Sequence, residues 1–192
     1  MTRVRRIGLI VEDESDYLSI RTLVKRITNQ ERLGFRKIVG HGCGRISNKC
    51  LSWSQNLYYR GCDTLILVHD LDKKNIAELK EELELKLHQS KITNKLVCIP
   101  VEELEAWLLS DPEVLLKLFR LERLPKIGNN PESITSPKEK LRDYIRNCSG
   151  KKSTYLNTKH NELIARHISI DAIYEKCQSF VSFHDFLAKQ KY

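Results

Sequence analysis

The chain of 192 residues has no C-x-x-C pair, no internal repeat, no low-complexity tract and no apolar run long enough to cross a bilayer. A membrane-spanning helix needs about 20 predominantly apolar residues, so no membrane partner is expected. The basic start, Met1–Arg6, is followed by an apolar run of only five residues, Ile7–Val11, which meets acids at once. That is too short for the apolar core of a secretory signal, and a cytoplasmic protein is the expectation. The six cysteines lack the spacing of a zinc ribbon or a secreted disulfide framework, which predicts reduced thiols, several of them in core positions.

What the sequence does have is two short apolar runs that each end in carboxylates. Ile7–Gly8–Leu9–Ile10–Val11 runs into Glu12–Asp13–Glu14–Ser15–Asp16, and Thr64–Leu65–Ile66–Leu67–Val68 runs into His69–Asp70–Leu71–Asp72. Unbroken Leu, Ile and Val runs bounded by polar residues read as central strands of a parallel sheet. Open α/β sheets place their sites at the carboxyl ends of such strands.

In chain order, the spacing of Tyr17, Ile20, Leu23, Val24 and Ile27 predicts a helix from about Ser15 to Thr28, and Phe35–Val39 a second strand. The glycines of Gly40–His41–Gly42–Cys43–Gly44–Arg45 allow a sharp turn or a close backbone approach to a ligand. A second helix should turn Trp53, Leu57 and Tyr58 inward. Asn75–His88 reads as an amphipathic helix, with Ile76, Leu79, Leu83 and Leu87 against Glu and Lys. Lys95–Pro100 is a fourth strand, and Val101–Leu109 a helix on which Glu102 and Glu105, three apart, share a face, with Glu103 left to capping and solvation.

After Phe119 the pattern becomes helical. Ser136–Pro137 reads as an N-cap followed by proline at the first helical position. Leu141, Tyr144 and Ile145 mark one helix, Gly150–Ser153 a basic loop, and the apolar residues from Leu163 to Leu187 the faces of short final helices. The expected architecture is α/β: a mostly parallel four-stranded sheet flanked by helices over residues 1–119, with a basic helical C-terminal extension, 120–192, packed on it.

The net charge of +8 is uneven, with 19 Lys/Arg against 17 Asp/Glu in residues 1–119 and 14 against 8 in residues 120–192. Such an excess favours a polyanion such as nucleic acid, or is a solvated basic surface. Lys151 and Lys152 in the basic loop are the candidate backbone contacts.

If the second run stays extended, Asp70 and Asp72 project to one side while Leu71 enters the core. With Glu12 from a neighbouring strand they form an oxygen ligand set that suits Mg²⁺ or Mn²⁺ rather than zinc. Like charges so placed repel unless a cation neutralises them.

The strand-ending Glu12 and the Asp70–Leu71–Asp72 motif resemble the Toprim fold. More narrowly, Ile99–Pro100–Val101–Glu102–Glu103–Leu104–Glu105–Ala106–Trp107–Leu108–Leu109 and the stretch from Tyr155 to Phe186 resemble a family of Toprim-like bacterial proteins, DUF4276. The resemblance implies Glu12 as general acid/base or metal ligand and Asp70 and Asp72 as metal ligands. By likeness to the overcoming-lysogenization-defect nucleases it adds Glu105 as a further acid and Lys159 as a catalytic lysine, with Tyr155 on the same face if that stretch is helical. One departure is Asp13, where a glycine usually follows the first glutamate. The implied activity is Mg²⁺- or Mn²⁺-dependent hydrolysis of phosphodiester bonds in DNA or RNA, in an anti-phage setting beside an ATPase partner, with self-association left open. A non-catalytic nucleic-acid-binding or toxin subunit of an ATPase complex is the alternative. A phosphorylation-receiver domain, with Asp70 as acceptor, ranks lower. Leu71–Asp72–Lys73–Lys74 stands where a receiver has its Met-Pro turn, and Ile99–Pro100 supplies no hydroxyl residue after the fourth strand.

Overall fold

The structure, a computed structural model, describes residues 5–190. Four strands, β1 (Arg6–Val11), β2 (Gly34–Val39), β3 (Thr64–Val68) and β4 (Asn94–Cys98), form one sheet in the order β2-β1-β3-β4. The sheet, expected to be mostly parallel, is parallel throughout, with Val11 opposite Val39, Ile10 opposite Leu67 and Val68 opposite Cys98.

The two apolar runs are the central strands, and side-chain alternation sends each to two different cores. Ile7, Leu9, Val11, Ile66, Val68 and Cys98 join one apolar cluster. Ile10, Leu65, Leu67, Val97 and Ile99 join the other. The second cluster is closed by α2 (Cys43–Tyr59) and α3 (Ile76–Leu87), through Ile46, Leu57, Leu79, Leu83 and Leu87. The first is closed by α1 (Glu14–Thr28) and by the helices that follow β4. These are α4 (Glu105–Leu108), α5 (Pro112–Phe119), α6 (Pro137–Cys148), α7 (Asn157–His167), α8 (Ile170–Lys176) and α9 (Gln178–Ala188).

One cluster therefore runs from Ile7 to Leu187. Trp107 is fully buried, edge-on to Phe180 at 5.0 Å between ring centroids, and its indole N–H donates to Ser179 Oγ at 2.8 Å. A buried indole needs such a partner. The six cysteines are free and buried, as their spacing predicts.

The elements depart from expectation in three places. Tyr58 is exposed rather than inward and stacks edge-on with Tyr59 beside Lys91. Ile76, at the first position of α3, is exposed. The helix expected over Val101–Leu109 is only the single turn of α4, because Glu102 takes a left-handed conformation, φ 59°, just after Pro100. Glu102 and Glu105 consequently do not share a helical face.

That break sends Glu103 to a different helix. Its Oε2 accepts from the backbone N–H of Lys138 at 2.8 Å, in the first turn of α6. Ser136, expected to cap that helix, is itself left-handed, φ 55°, and makes no side-chain cap bond. A carboxylate there also meets the positive end of the helix dipole. Glu103→Ala should thus destabilise the fold by about 1 kcal/mol, the usual loss for an N-cap, whereas Ser136→Ala should stay within about 0.5 kcal/mol. Urea unfolding with an unchanged m-value checks both, and an equal loss from the two variants would contradict the assignment.

Candidate functional site

The chain leaves β1 through α1 to β2 on one side, while β3 lies on the other, so strand order reverses between β1 and β3. This is the crevice where open α/β sheets hold ligands. Glu12 directly follows β1, and Asp70 lies two residues beyond β3. Sheet-like bonds continue past the strand ends and fix both: Gly40 N–H donates to Val11 O at 2.8 Å, His41 N–H to Glu12 O at 2.9 Å, His69 N–H to Cys98 O at 3.1 Å and Leu71 N–H to Pro100 O at 3.2 Å.

Asp70 stays in this extended frame, but the frame ends at Leu71, which enters the second core. Asp72 turns into the left-handed region, φ 50°, as does Lys73, φ 62°. The expected alternation of Asp70 and Asp72 along an extended segment is thereby corrected, yet the turn still returns Asp72 to the crevice. Ligand atoms of Glu12, Cys43 and Asp72 all lie within 4.8 Å of one another.

Two further carboxylates close the back of the crevice. Asp16, 8% exposed, stands in the first turn of α1, where Asp13 is the N-cap. Asp13 Oδ1 accepts from Ser15 N–H at 2.7 Å and Asp16 N–H at 3.1 Å, and Asp16 Oδ2 accepts from Asp13 N–H at 3.1 Å. This reciprocal capping box explains how Asp13 stands in a glycine's place: its carboxylate caps the helix, and its own φ of −133° is unstrained. Glu105, 4% exposed, is held by Tyr155 and Asn161. Tyr155 Oη lies 2.9 Å from Glu105 Oε1 and also touches Asn161 Oδ1, while Asn161 Nδ2 donates to the same Oε1 at 3.0 Å. Both partners are fully buried, and burial together with the Glu105 charge pushes the Tyr155 phenol up, so it stays a donor.

Cys43 opens α2 and donates its S–H to Glu12 Oε2 at 2.7 Å. Burial first, then Glu12, pushes its thiol up. The tight loop before it depends on two glycines. A Cβ on Gly40 would stand 2.5 Å from Ile46 Cγ1, and Gly42 has φ 125°. His69 is fully buried with both ring nitrogens committed, Nδ1 donating to Asp70 O at 2.7 Å and Nε2 lying 3.0 Å from Ser47 Oγ. It positions Asp70 rather than offering a free base.

Glu12 and Asp72 thus meet at Cys43, while Asp70, Asp16 and Glu105 lie within electrostatic reach of them and of one another; sequence reasoning gave no role to Asp16 or Cys43. The capping-box spacing of Asp13 and Asp16 was the available signal for Asp16. Glu102 instead lines an open cleft of about 170 Å³ with Asp72, Lys73, Glu103 and Ser136. None of the three lysines bonds to a crevice carboxylate among the described residues. Lys159 is exposed in the first turn of α7, and its side chain makes no hydrogen bond or ion pair among the described residues. Asn157 of that turn reaches the start of α1, 3.4 Å from Asp13 Oδ2 and 3.3 Å from Ser15 Oγ. Tyr155 precedes α7 and is buried, so it does not share a face with Lys159. Lys151 is left-handed, φ 66°, just beyond α6, and Lys152 pairs with Glu122 at 2.7 Å.

Electrostatics make the cluster a single object. Burial raises Asp70 well above the ordinary carboxylate range, and the charges of Asp16, Glu105, Glu12 and Asp72 add to it. Asp16 is raised in the same way, by burial and then by Asp13, Glu105 and Glu12. Among the described residues the Asp70 carboxylate accepts no hydrogen bond, and Glu105 Oε2 and Asp16 Oδ1 have no donor either. Buried oxygens of Asp16 and Glu105 without donors, beside the half-buried Asp70, could be balanced by a divalent cation. Among the described residues Glu12, Cys43 and Asp72 are the set whose ligand atoms lie close enough to hold one ion, and the charges of Asp70, Asp16 and Glu105 around them would favour a cation there.

A raised folded-state pKa contributes stability below the unfolded value and loses it as pH rises through the folded one. The metal-free protein should therefore carry a penalty at Asp70 that grows from mildly acid to neutral pH. Asp70→Asn should raise its Tm at pH 7.5, with a gain that shrinks toward pH 5. Mg²⁺ or Mn²⁺ should raise the wild-type Tm at pH 7.5 by binding the folded state, and raise that of Asp70→Asn and Asp72→Asn together much less. Differential scanning fluorimetry in EDTA and in metal reads both effects, and a pH-independent Asp70→Asn effect would remove the like-charge cluster.

Comparison with curated proteins and with solved structures returns no match to either. Residues 11–188 match one protein family, from the end of β1 through α9, and so span every residue of the crevice. By that match the chain belongs to the family described as Domain of unknown function (DUF4276).

Proposed function

We propose that the chain is a Toprim-like, Mg²⁺- or Mn²⁺-dependent nuclease that hydrolyses phosphodiester bonds in DNA or RNA. The observation that carries this reading is the convergence of Glu12, Asp16, Asp70, Asp72 and Glu105 on one crevice, with donors missing from Asp70 and from one oxygen each of Asp16 and Glu105. A divalent cation held there would supply Lewis-acid stabilisation of phosphoryl oxygens and lower the pKa of a nearby water. The protein's own part is positional. Tyr155 and Asn161 fix Glu105, the capping box fixes Asp16, and His69 fixes the backbone of Asp70. Glu12 Oε2 accepts the Cys43 S–H, and Glu12 is half-buried, within reach of solvent.

The anti-phage role and the ATPase partner implied by the family resemblance belong to the same proposal. Lys159 keeps only a conditional part in it, because its exposed position requires bound substrate to bring a phosphate to it. The alternative of a non-catalytic nucleic-acid-binding or toxin subunit uses the same crevice for binding alone.

Purified protein incubated with labelled DNA and RNA pools should cleave one of them with Mg²⁺ or Mn²⁺ and neither with EDTA. Asp70→Asn and Glu105→Gln should each lower the single-turnover rate at least about 100-fold, the scale of losing a metal-positioning or charge-stabilising group. Tyr155→Phe should lower it less, about 10-fold. Binding without cleavage under every metal condition would select the non-catalytic alternative. A stable acyl phosphate on Asp70 from a small phosphodonor would select the receiver.

A further inference from the structure

Away from the acid crevice, the seam between α1 and α7 gathers the strongest positive cluster on the described surface of these helices. The two helices start together, where Asn157 meets Asp13 and Ser15. They stay paired through Arg21 and Glu162 at 3.3 Å, and end with Arg26 Nη1 donating to Ala165 O at 2.7 Å. Between them lies a groove of about 390 Å³ lined by Arg21, Lys25, Arg26 and Arg166 against Glu31 and Glu162.

The charges there do not balance. Glu162 is shared between Arg21 and Arg166, the latter at 2.8 Å. Lys25 takes Glu31, whose side chain is 85% exposed, so that pair is weak in water. Among the described residues Arg26 has a neutral carbonyl as partner and no carboxylate, although a guanidinium carries five N–H donors. Its partial burial pushes its pKa down. Four cations against two acids leave the groove at +2. Helix-dipole complementarity accounts for cations at these two helix ends, but not for a guanidinium turned into a shared groove with its fork open. Planar forks of this kind match phosphate oxygens in pairs.

Position selects a polynucleotide over a free phosphate. Asp16 and the groove lie on the same helix, so Arg21 stands ~8 Å and Arg26 ~15 Å along the axis from Asp16, at 1.5 Å per residue. Phosphates of one B-form strand recur every ~3.4 Å along its axis, which sets these side chains roughly two to four nucleotides from the crevice. We propose that the α1–α7 groove is a phosphodiester-binding site, in which Arg26 and Arg166 grip the nucleic-acid backbone a few nucleotides from the bond held over the acid cluster. This rests on the nuclease reading for the place of the scissile bond, but the binding itself does not.

Fluorescence anisotropy in EDTA, with labelled single-stranded and duplex oligonucleotides over a range of KCl concentrations, separates the two. Arg26→Gln and Arg166→Gln should each weaken binding about three- to tenfold, alike across sequences, and lower the salt slope by about 0.7–0.9. Lys86→Gln, at the end of α3 on the opposite face of the sheet, should leave both unchanged. Arg26→Lys keeps the charge and loses the fork, so it should fall between wild type and Arg26→Gln. With Arg166→Gln it carries the test if Arg26→Gln unfolds. Pyrophosphate or a nucleoside triphosphate at millimolar concentration is the second arm. A Tm rise lost in Arg26→Gln, together with unchanged oligonucleotide binding, would make this a small-phosphate site and overturn the proposal. Unchanged binding and slope in both arginine variants would overturn it as well. Intact, arginine-dependent binding without cleavage in any metal would leave the groove standing and remove the nuclease instead.

Discussion

Repulsion among carboxylates that the fold forces together is the constraint on which the rest of this structure depends. Asp16 is buried and Asp70 half-buried beside Glu12, Glu105 and Asp72, and desolvation together with the neighbouring charges makes Asp16 and Asp70 reluctant to ionise. A fold could relieve this by bringing in a lysine or arginine, or by letting one acid swing into solvent. Here the cations are spent elsewhere: Lys37 on Glu14, Lys152 on Glu122, Arg21 and Arg166 on Glu162. Two of the acids are also locked, Asp16 by the capping box and Glu105 by Tyr155 and Asn161. The unfavourable charge is thus held in place by favourable contacts, which is the arrangement expected where strain is retained for a ligand.

Those contacts explain why the chain beyond β4 is integral to the site. Glu105 is oriented by side chains 50 and 56 positions later, and the start of α1 is touched by Asn157 of α7. The same helices complete the apolar cluster that covers one face of the sheet, through Ile164, Phe180, Phe183 and Leu187. Packing and site geometry therefore share one set of elements, and loosening α7 would disturb both. The loops after β3 and β4 show the reverse side of this design. Asp72, Lys73, Glu102 and Ser136 all have positive φ and line one cleft, so backbone that L-residues seldom adopt is concentrated beside the acids.

What could be read from the residues follows from the range of the forces involved. The strands, α1 and α3 were legible because burial on both faces or one face leaves a periodic trace. Glu12 and Asp70 were legible because a strand end fixes its next residues. Asp72 was reached for a wrong reason: alternation requires an extended chain, and the chain turns at that residue. Glu102 was missed because its left-handed backbone breaks the expected helix, whereas Ser136 was missed because its helix takes its cap at Lys138 from Glu103, 35 positions away, and no local pattern records either. Tyr155 as the partner of Glu105 and Cys43 as the partner of Glu12 are likewise contacts between segments that only the tertiary fold brings together.

The net charge takes on a different meaning once the sheet is seen. Counting by sequence puts the positive excess in the last third, and its two adjacent lysines looked like its focus. In three dimensions one of them pairs with Glu122, and an unbalanced group of cations is shared between α1, from the first third, and α7. α1 carries Glu14 and Asp16 in its first turn and Lys25 and Arg26 in its last, so its dipole is complemented at both ends. The same helix then presents negative charge to the crevice and positive charge to the groove. A cation held at one end and a polyanion laid along the other would each be met by the charge that suits it, and would neutralise each other where they meet.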